Sequence, residues 1–196
     1  MIASVYRLSR KDMKELKITD AYSIHRAVYS LFPQIDKSTR DFLYVDKGGD
    51  FLTRQILMLS ERAPIHPAVG LVESKPIPEN FITHERYGFE VKMNPVRQEN
   101  KSRKRVPVKG RDLLMSWFCE KAGSYGFSVD ATSLDVRDLE VLKFTNDENQ
   151  VTYNSAVFIG KLTVTDRVLF EKSFKEGIGR AKGFGFGLLQ IVPLKN

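Results

Sequence analysis

Five glycines fall within eleven positions near the end of the chain, at Gly177, Gly179, Gly183, Gly185 and Gly187, with Arg180 and Lys182 among them. A segment so poor in Cβ atoms lets its backbone come very close to whatever it faces. Two readings follow. Bare N–H groups flanked by cations suit a phosphate chain, whereas the same run can close a strand by tight packing on its neighbours. The apolar stretch from Phe184 to Val192 predicts a terminal strand after it. Since the segment ends in a strand and does not open a helix, a small-molecule phosphate cradle is the poorer fit.

Charge narrows the choice of partner. The chain carries a net charge of +7 with a pI near 9.4. Between Lys92 and Arg111 stand eight basic residues (Lys92, Arg97, Lys101, Arg103, Lys104, Arg105, Lys109 and Arg111) and one acid, Glu99, a surplus equal to that of the whole chain. Such a local field calls for a polyanion, and nucleic acid is the common one. A solvated charge run is the alternative, but Asn94-Pro95 and Val106-Pro107-Val108 interrupt it with turn-like and strand-like signals that disordered basic tails lack. Hydrophobic residues at 42% and charged ones at 28% are ordinary for a folded globular protein and argue against disorder. Neither a signal peptide nor a membrane-length apolar stretch is present, which predicts a cytoplasmic protein. The lone Cys119 cannot form an internal disulfide and reads as a buried small hydrophobe. No His, Cys and carboxylate cluster has metal-ligand spacing, so neither a metal nor another cofactor is expected.

Element order predicts an α+β fold of two tandem ferredoxin-like (RRM-like) domains with antiparallel sheets. In the first half, strands are expected at Ala3–Leu8, Phe42–Val45, Gln55–Leu59 and Tyr87–Met93, with a helix opened by Asp20 and ending before Phe32-Pro33. From Arg62 to Ile82 four prolines break every pattern, and the stretch reads as irregular or at best a short helix. The second half repeats the order: Arg105–Val108, a helix over Arg111–Lys121, Gly126–Val129, a hairpin turning at Asn146–Asn149, a helix over Arg167–Lys175 and the terminal strand. The expected domains are 1–95 and 104–196, joined by a basic linker at 96–103.

The first helix has two faces. Ala21, Ile24, Val28 and Leu31 form an apolar stripe that must meet the core. Tyr22, His25, Arg26 and Tyr29, spaced i, i+3, i+4 and i+7, put two phenols, an imidazole and a guanidinium on an adjoining face. Aromatic rings stack on unpaired bases, Arg binds phosphate, and His titrates near neutrality, so the set suits RNA chemistry. Taken alone, His25 also fits a structural histidine. His66 and His84 have no partner at ligand spacing and read as surface or structural residues.

The helix Ala21-Tyr22-Ser23-Ile24-His25-Arg26-Ala27-Val28-Tyr29-Ser30-Leu31-Phe32-Pro33, followed by Arg40-Asp41-Phe42-Leu43-Tyr44, resembles the CasE family, the CRISPR RNA-processing endoribonucleases of type I-E Cascade. Asn94-Pro95 and Lys104-Arg105-Val106-Pro107-Val108 leading into a helix with Trp117 are similar to that family's middle section. The run from Gly177 to Leu189 is similar to its C-terminal glycine-rich signature, so the resemblance spans essentially the whole chain.

The resemblance implies an endoribonuclease that cuts precursor CRISPR RNA without a metal at the base of the repeat stem-loop and stays with the product in a Cascade-type complex. The ribose 2′-OH would attack the adjacent phosphate, leaving a 2′,3′-cyclic phosphate and a 5′-OH. By position, His25 would be the general acid or base and Tyr22 would orient the scissile region or stabilise charge. Arg26 and Arg97 would add to the RNA-binding surface, and Arg103, Lys104, Arg105 and Lys109 would track the stem. The glycine segment would pack near the catalytic helix, with Gly177, Gly179, Gly183, Gly185 and Gly187 close to backbone phosphates and Arg180 and Lys182 supplying charge. A hairpin carrying Arg137 and Lys143, among Asp135, Asp138 and Glu140, would enter the RNA major groove. The expected partners are the repeat stem-loop and other Cascade subunits, with no membrane. The alternative is a non-catalytic tandem-RRM-like protein that binds structured RNA and does not need the Tyr22 and His25 pair. Lys182 to Phe186 also fits the start of the RRM ribonucleoprotein-1 signature, but on the last strand and not the third, so Phe184 and Phe186 read as packing residues and not as base stackers.

Overall fold

A computed structural model describes residues 1–33, 40–49, 52–99, 103–146 and 149–195. Lys101 of the basic run and the expected turn residues Asp147 and Glu148 lie outside the described residues. In chain order the elements are β1 (Ile2–Ser9), α1 (Arg10–Glu15), α2 (Ala21–Tyr29), β2 (Phe42–Gly49), β3 (Thr53–Ser60), β4 (Leu71–Pro76), β5 (Arg86–Met93), β6 (Val96–Gln98), β7 (Arg105–Pro107), α3 (Arg111–Ala122), β8 (Phe127–Val129), β9 (Asp135–Asn146), β10 (Asn149–Val164), α4 (Arg167–Glu176) and β11 (Gln190–Pro193).

Two antiparallel sheets organise the molecule. The first has the order β2-β3-β1-β4 and the second β11-β5-β10-β8, with β9 also pairing to β10. Counted within each unit, both follow the ferredoxin-like order in which the first and third strands are central, so the expected α+β architecture is present. The first unit lacks the second helix of that pattern. Its place between β3 and β4 is taken by the irregular stretch around Pro64 and Pro67.

Each sheet buries an alternating face. Tyr6 and Leu8 of β1, Phe42 and Tyr44 of β2, and Ile56 and Met58 of β3 form one core with Ile24 and Val28 of α2 and with Leu31 just after it. The intervening residues Leu43, Val45 and Leu59 pack instead with Tyr87, Phe89, Phe118, Phe158 and Phe170 in the larger core of the second unit. The first sheet is therefore covered on both sides, by its own helix and by the other unit. Among the described residues no helix is long and apolar enough to cross a membrane.

Four expectations need correction. Strand β5 was expected in the first unit, yet Glu90 pairs with Ile159 of β10 and Gln190 of β11, so β5 is the first strand of the second sheet. The change of sheet thus comes between Pro76 and Arg86, ahead of the 96–103 segment. The last strand of the first sheet is β4, inside the stretch expected to be irregular. It is an edge strand held by backbone pairing of Leu71–Pro76 to β1 and by a Ser4–Ser74 hydroxyl hydrogen bond of 2.8 Å. Most of its side chains are exposed, which erases the alternation that marks a half-buried strand. The expected strand at Arg105–Val108 belongs to neither sheet but pairs with β6 as a small hairpin. Finally, β11 begins at Gln190 and not at Phe184: Lys182–Phe184 is a 3-10 turn, and Gly185 and Gly187 take φ values of +83° and +80°, incompatible with extended chain. Cys119 is half-buried against the second core, and burial raises its thiol pKa.

Candidate active site

Helix α2 is fixed locally before it meets anything else. Asp20 caps it, accepting from the Ser23 backbone N–H at 2.8 Å, while the Ser23 hydroxyl oxygen accepts from the Asp20 and Thr19 N–H groups at 3.0 and 2.9 Å. The apolar stripe then sets its rotation. With Ile24 and Val28 buried, Tyr22, His25 and Tyr29 are half-buried on the adjoining side and Arg26 is exposed.

That side is covered by the glycine segment. His25 Nδ1 lies 2.7 Å from the Gly183 carbonyl oxygen, and the Tyr44 hydroxyl donates to the same oxygen at 2.9 Å. A carbonyl can only accept, so Nδ1 carries the hydrogen and the neutral ring keeps its lone pair on Nε2. Aromatic rings surround the imidazole: Tyr29 at 3.9 Å, Phe184 stacked at 4.9 Å and Tyr22 stacked at 5.7 Å between ring centres. Phe144 of β9 stacks on Tyr22 at 6.4 Å and lies 4.8 Å from Phe184, tying the long hairpin to the same cluster. The Arg26 guanidinium sits 5.8 Å over the Tyr22 ring. Burial lowers the His25 pKa from its ordinary 6.5; the Gly183 carbonyl opposes this and the charge of Arg40 adds to it. The imidazole is therefore neutral at pH 7, an acceptor ready to take a proton.

Two glycines explain how the loop comes so close. A Cβ on Gly183 would stand 3.2 Å from the Tyr29 hydroxyl and 3.3 Å from an Arg40 terminal nitrogen. At Gly187, with its positive φ, a Cβ would lie 2.1 Å from the Ile178 carbonyl oxygen. Gly187 also ties the loop down, donating to the Lys92 carbonyl and accepting from the Ile178 N–H, at 2.8 and 2.9 Å. The others pack as well: Gly177 against Leu43, Gly179 against Met93 and Gly185 against the Tyr44 ring. The segment is thus closely packed throughout, with Arg180 exposed and Lys182 half-buried along it. Phe186 is buried and Phe184 half-buried, as packing residues.

Arg40 joins the site although no local pattern in the sequence singles it out. It stands just before β2, half-buried, with its Nε buried and without a hydrogen-bond partner. Its charge acts on both His25 and Lys182. Lys182 donates to the Glu176 carbonyl at 2.8 Å; burial lowers its pKa, and Arg40 and Lys172 add to the shift while Glu176 opposes it. Arg40 is thus the cation that acts on the imidazole, and Lys182, whose amine turns to Glu176, couples in turn to Arg40.

The remaining basic residues lie elsewhere. Arg97 and Arg105 are exposed on the β6–β7 hairpin, with Arg103 and Lys104 at its turn end and Lys109 beyond it. Arg137 on β9 is exposed, but its guanidinium is bonded to Asp135 at 2.6 Å, and Arg111 shares that carboxylate. Lys143 is exposed further along the same strand. Among the described residues no three His, Cys, Asp or Glu side chains gather as metal ligands.

Known proteins share this framework. A family model described as CRISPR associated protein matches residues 3–193. The CRISPR system Cascade subunit CasE of Escherichia coli strain K12 is 26% identical over 188 residues, which span 89% of this chain and 93% of that protein. The structure of CRISPR endoribonuclease Cse3 bound to a 19-nucleotide RNA superposes with a TM-score of 0.84 at 17% identity, over 98% of this chain and 100% of that one. The crystal structure of Cas6e from Escherichia coli K-12 gives a TM-score of 0.74 at 24% identity, over 99% and 100%. The match to nearly the whole chain establishes that it belongs to the CRISPR associated protein family, the family of CasE and Cse3.

Proposed function

We propose that this chain is the endoribonuclease of a type I-E Cascade, cutting precursor CRISPR RNA at the base of the repeat stem-loop without a metal and remaining bound to the product. The observation that carries this reading is the hydrogen bond between His25 Nδ1 and the Gly183 carbonyl, which leaves Nε2 of a neutral imidazole as the proton acceptor. His25 Nε2 takes the proton of the ribose 2′-OH; the 2′-oxygen bonds to the adjacent phosphorus; the bond from phosphorus to the 5′-oxygen breaks, and that oxygen takes a proton from solvent. The products are a 2′,3′-cyclic phosphate and a 5′-OH. Arg40 and Lys182 stabilise the charge that builds on the phosphate oxygens, and Tyr22, stacked against both His25 and Phe144, orients the nucleotide at the cut. The relatives support the assignment: one is named as a Cascade subunit and another as an endoribonuclease bound to RNA.

The test uses a labelled repeat hairpin in excess EDTA, beside the same RNA with a single 2′-deoxy substitution at the cut. Only the all-ribose RNA should be cleaved, and His25→Ala should abolish that cleavage while leaving hairpin binding nearly intact, because phosphate contacts dominate affinity. Tight binding of both RNAs with cleavage of neither would favour a structured-RNA-binding protein without catalysis.

A further inference from the structure

The Gly183 carbonyl oxygen is held by two donors, and both come from the first unit: His25 Nδ1 at 2.7 Å and the Tyr44 hydroxyl at 2.9 Å. Only the first belongs to the proton transfer. Tyr44 is 1% exposed, and its backbone on β2 pairs with Met58 of β3. Its ring packs against Gly185, where a Cβ would come within 3.1 Å of a ring carbon. A hydroxyl enclosed in this way needs the Gly183 oxygen, because a buried donor without a partner is costly. Burial raises the Tyr44 pKa from its ordinary 10, so the phenol keeps its hydrogen and remains a donor.

The two donors differ in freedom. The Tyr44 hydroxyl stands at the end of a rigid ring locked in the core, whereas an imidazole can turn about its side-chain bonds and carry its hydrogen on either nitrogen. An acceptor fixed by Tyr44 removes both freedoms, since it sets the ring's rotation and keeps the hydrogen on Nδ1. The gain is large for a base, because a misplacement of about 1 Å can cost about 10²-fold in rate. Other titratable or charged groups surround His25: Tyr22, Arg26 and Tyr29 on its own helix, Arg40 before β2, Lys182 on the loop and Tyr153 on the hairpin. Among the described residues only Tyr44 shares the Gly183 oxygen with the imidazole.

We propose that Tyr44 is a positioning residue of the cleavage site: its hydroxyl pins the Gly183 carbonyl, and the pinned carbonyl holds His25 as the Nδ1–H tautomer with Nε2 turned to the RNA. The proposal rests on the functional reading above, in which His25 is the base. It adds that the sheet under α2 orients the loop that in turn orients the helix's own imidazole.

The test compares Tyr44→Phe with Tyr6→Phe in the full-length protein. Tyr6 is a similarly buried phenol of the same core, but it donates to the Val69 carbonyl at 2.7 Å and not to the loop. Nitrogen NMR of the imidazoles, with His25→Ala identifying the signals of His25, reads its tautomer and pKa without RNA. Wild type and Tyr6→Phe should carry the hydrogen on Nδ1, whereas Tyr44→Phe should show a mixture of both tautomers. Loss of the competing donor makes the carbonyl a better acceptor for the imidazolium and lets water nearer the ring, so the lowered His25 pKa should rise towards 6.5. Single-turnover cleavage of the repeat hairpin at saturating protein should slow about tenfold in Tyr44→Phe, the rate equivalent of about one hydrogen bond. Its acid limb should move up with the pKa, and hairpin affinity should stay as in wild type. A tautomer and pKa in Tyr44→Phe equal to those of wild type would overturn the proposal, and so would a loss of rate that Tyr6→Phe reproduces. A tautomer that shifts as expected in a protein whose wild type cuts no repeat RNA would instead sink the functional reading, and the positioning role with it.

Discussion

The two ferredoxin-like units share a strand order and differ in what they bring to the site. The first contributes α2, a helix settled by its own cap and its own apolar stripe, with three of its side chains and Arg40. The second contributes a loop whose one regular piece is the 3-10 turn at Lys182–Phe184, held by contacts to Lys92, Met93, Leu43 and Tyr44. A helix alone leaves His25 half-exposed with an uncertain tautomer; the loop alone has no titratable acceptor. The site exists only where the Gly183 carbonyl meets the imidazole, across 158 residues of sequence. In the proposed mechanism the base comes from one unit and its orienting group from the other, which would make docking of the units part of the chemistry.

The comparison breaks most sharply at Arg40. If the first unit supplies charge stabilisation as well as the imidazole, Arg40→Ala should lower kcat by about 10²- to 10³-fold, the usual loss for removing one group that stabilises transition-state charge. Hairpin affinity should change little, because many other cations remain on the surface. Single-turnover cleavage at saturating protein separates the two quantities. A cleavage rate within a few-fold of wild type would assign the charge to Lys182, and hence to the second unit.

A loop-side change should act through stability first. Gly187→Ala forces a Cβ towards the Ile178 carbonyl at a backbone conformation that L residues rarely adopt. We expect a loss of about 3 kcal/mol, near the top of the ordinary range for a point mutation. In a protein of this size that lowers Tm by roughly 6–12 °C. The same change should slow cleavage below the melting range, because the Gly183 carbonyl sits in the displaced segment. An unchanged melting curve in calorimetry would show that the loop yields easily and that its glycines serve only to approach a ligand.

What the sequence made legible was whatever is local. The cap at Asp20, the stripe of Ile24 and Val28, and the alternation of Tyr87, Phe89, Val91 and Met93 are each set by a single element, and each is present in the fold. Pairing is not local. Nothing in Arg86–Met93 says which sheet it joins, and β4 leaves no mark in the sequence because an exposed edge strand needs no apolar pattern. The site divides the same way. Tyr22 and His25 share a helix face and could be paired by spacing, whereas Arg40 owes its place beside them to the packing of Phe42 and Tyr44 under α2. Phe144 and Phe184 come together from a hairpin and a loop, forty positions apart in the chain and with no motif to join them.

The smallest expected effect tests whether the loop tunes the imidazole or merely touches it. Burial under the loop lowers the pKa of His25, so the neutral form persists to more acid pH than 6.5. For a general base, kcat/KM is highest where the group is neutral, so the profile should stay flat as pH falls past 6.5 and decline only below it. Stability carries the same sign. In the unfolded chain His25 takes up a proton at 6.5 and in the folded chain only at lower pH, so its contribution is complete above 6.5 and is lost as pH falls through the folded value. The carboxylates of Asp12, Asp130 and Asp135 are held below 3.8 by their hydrogen bonds and titrate in a separate, more acid range. His25→Ala should therefore flatten the stability profile just below pH 6.5 and leave the acid end unchanged. An acid limb of kcat/KM centred at or above 6.5 would mean that solvent reaches the ring freely in the working enzyme and that the second unit orients His25 without desolvating it.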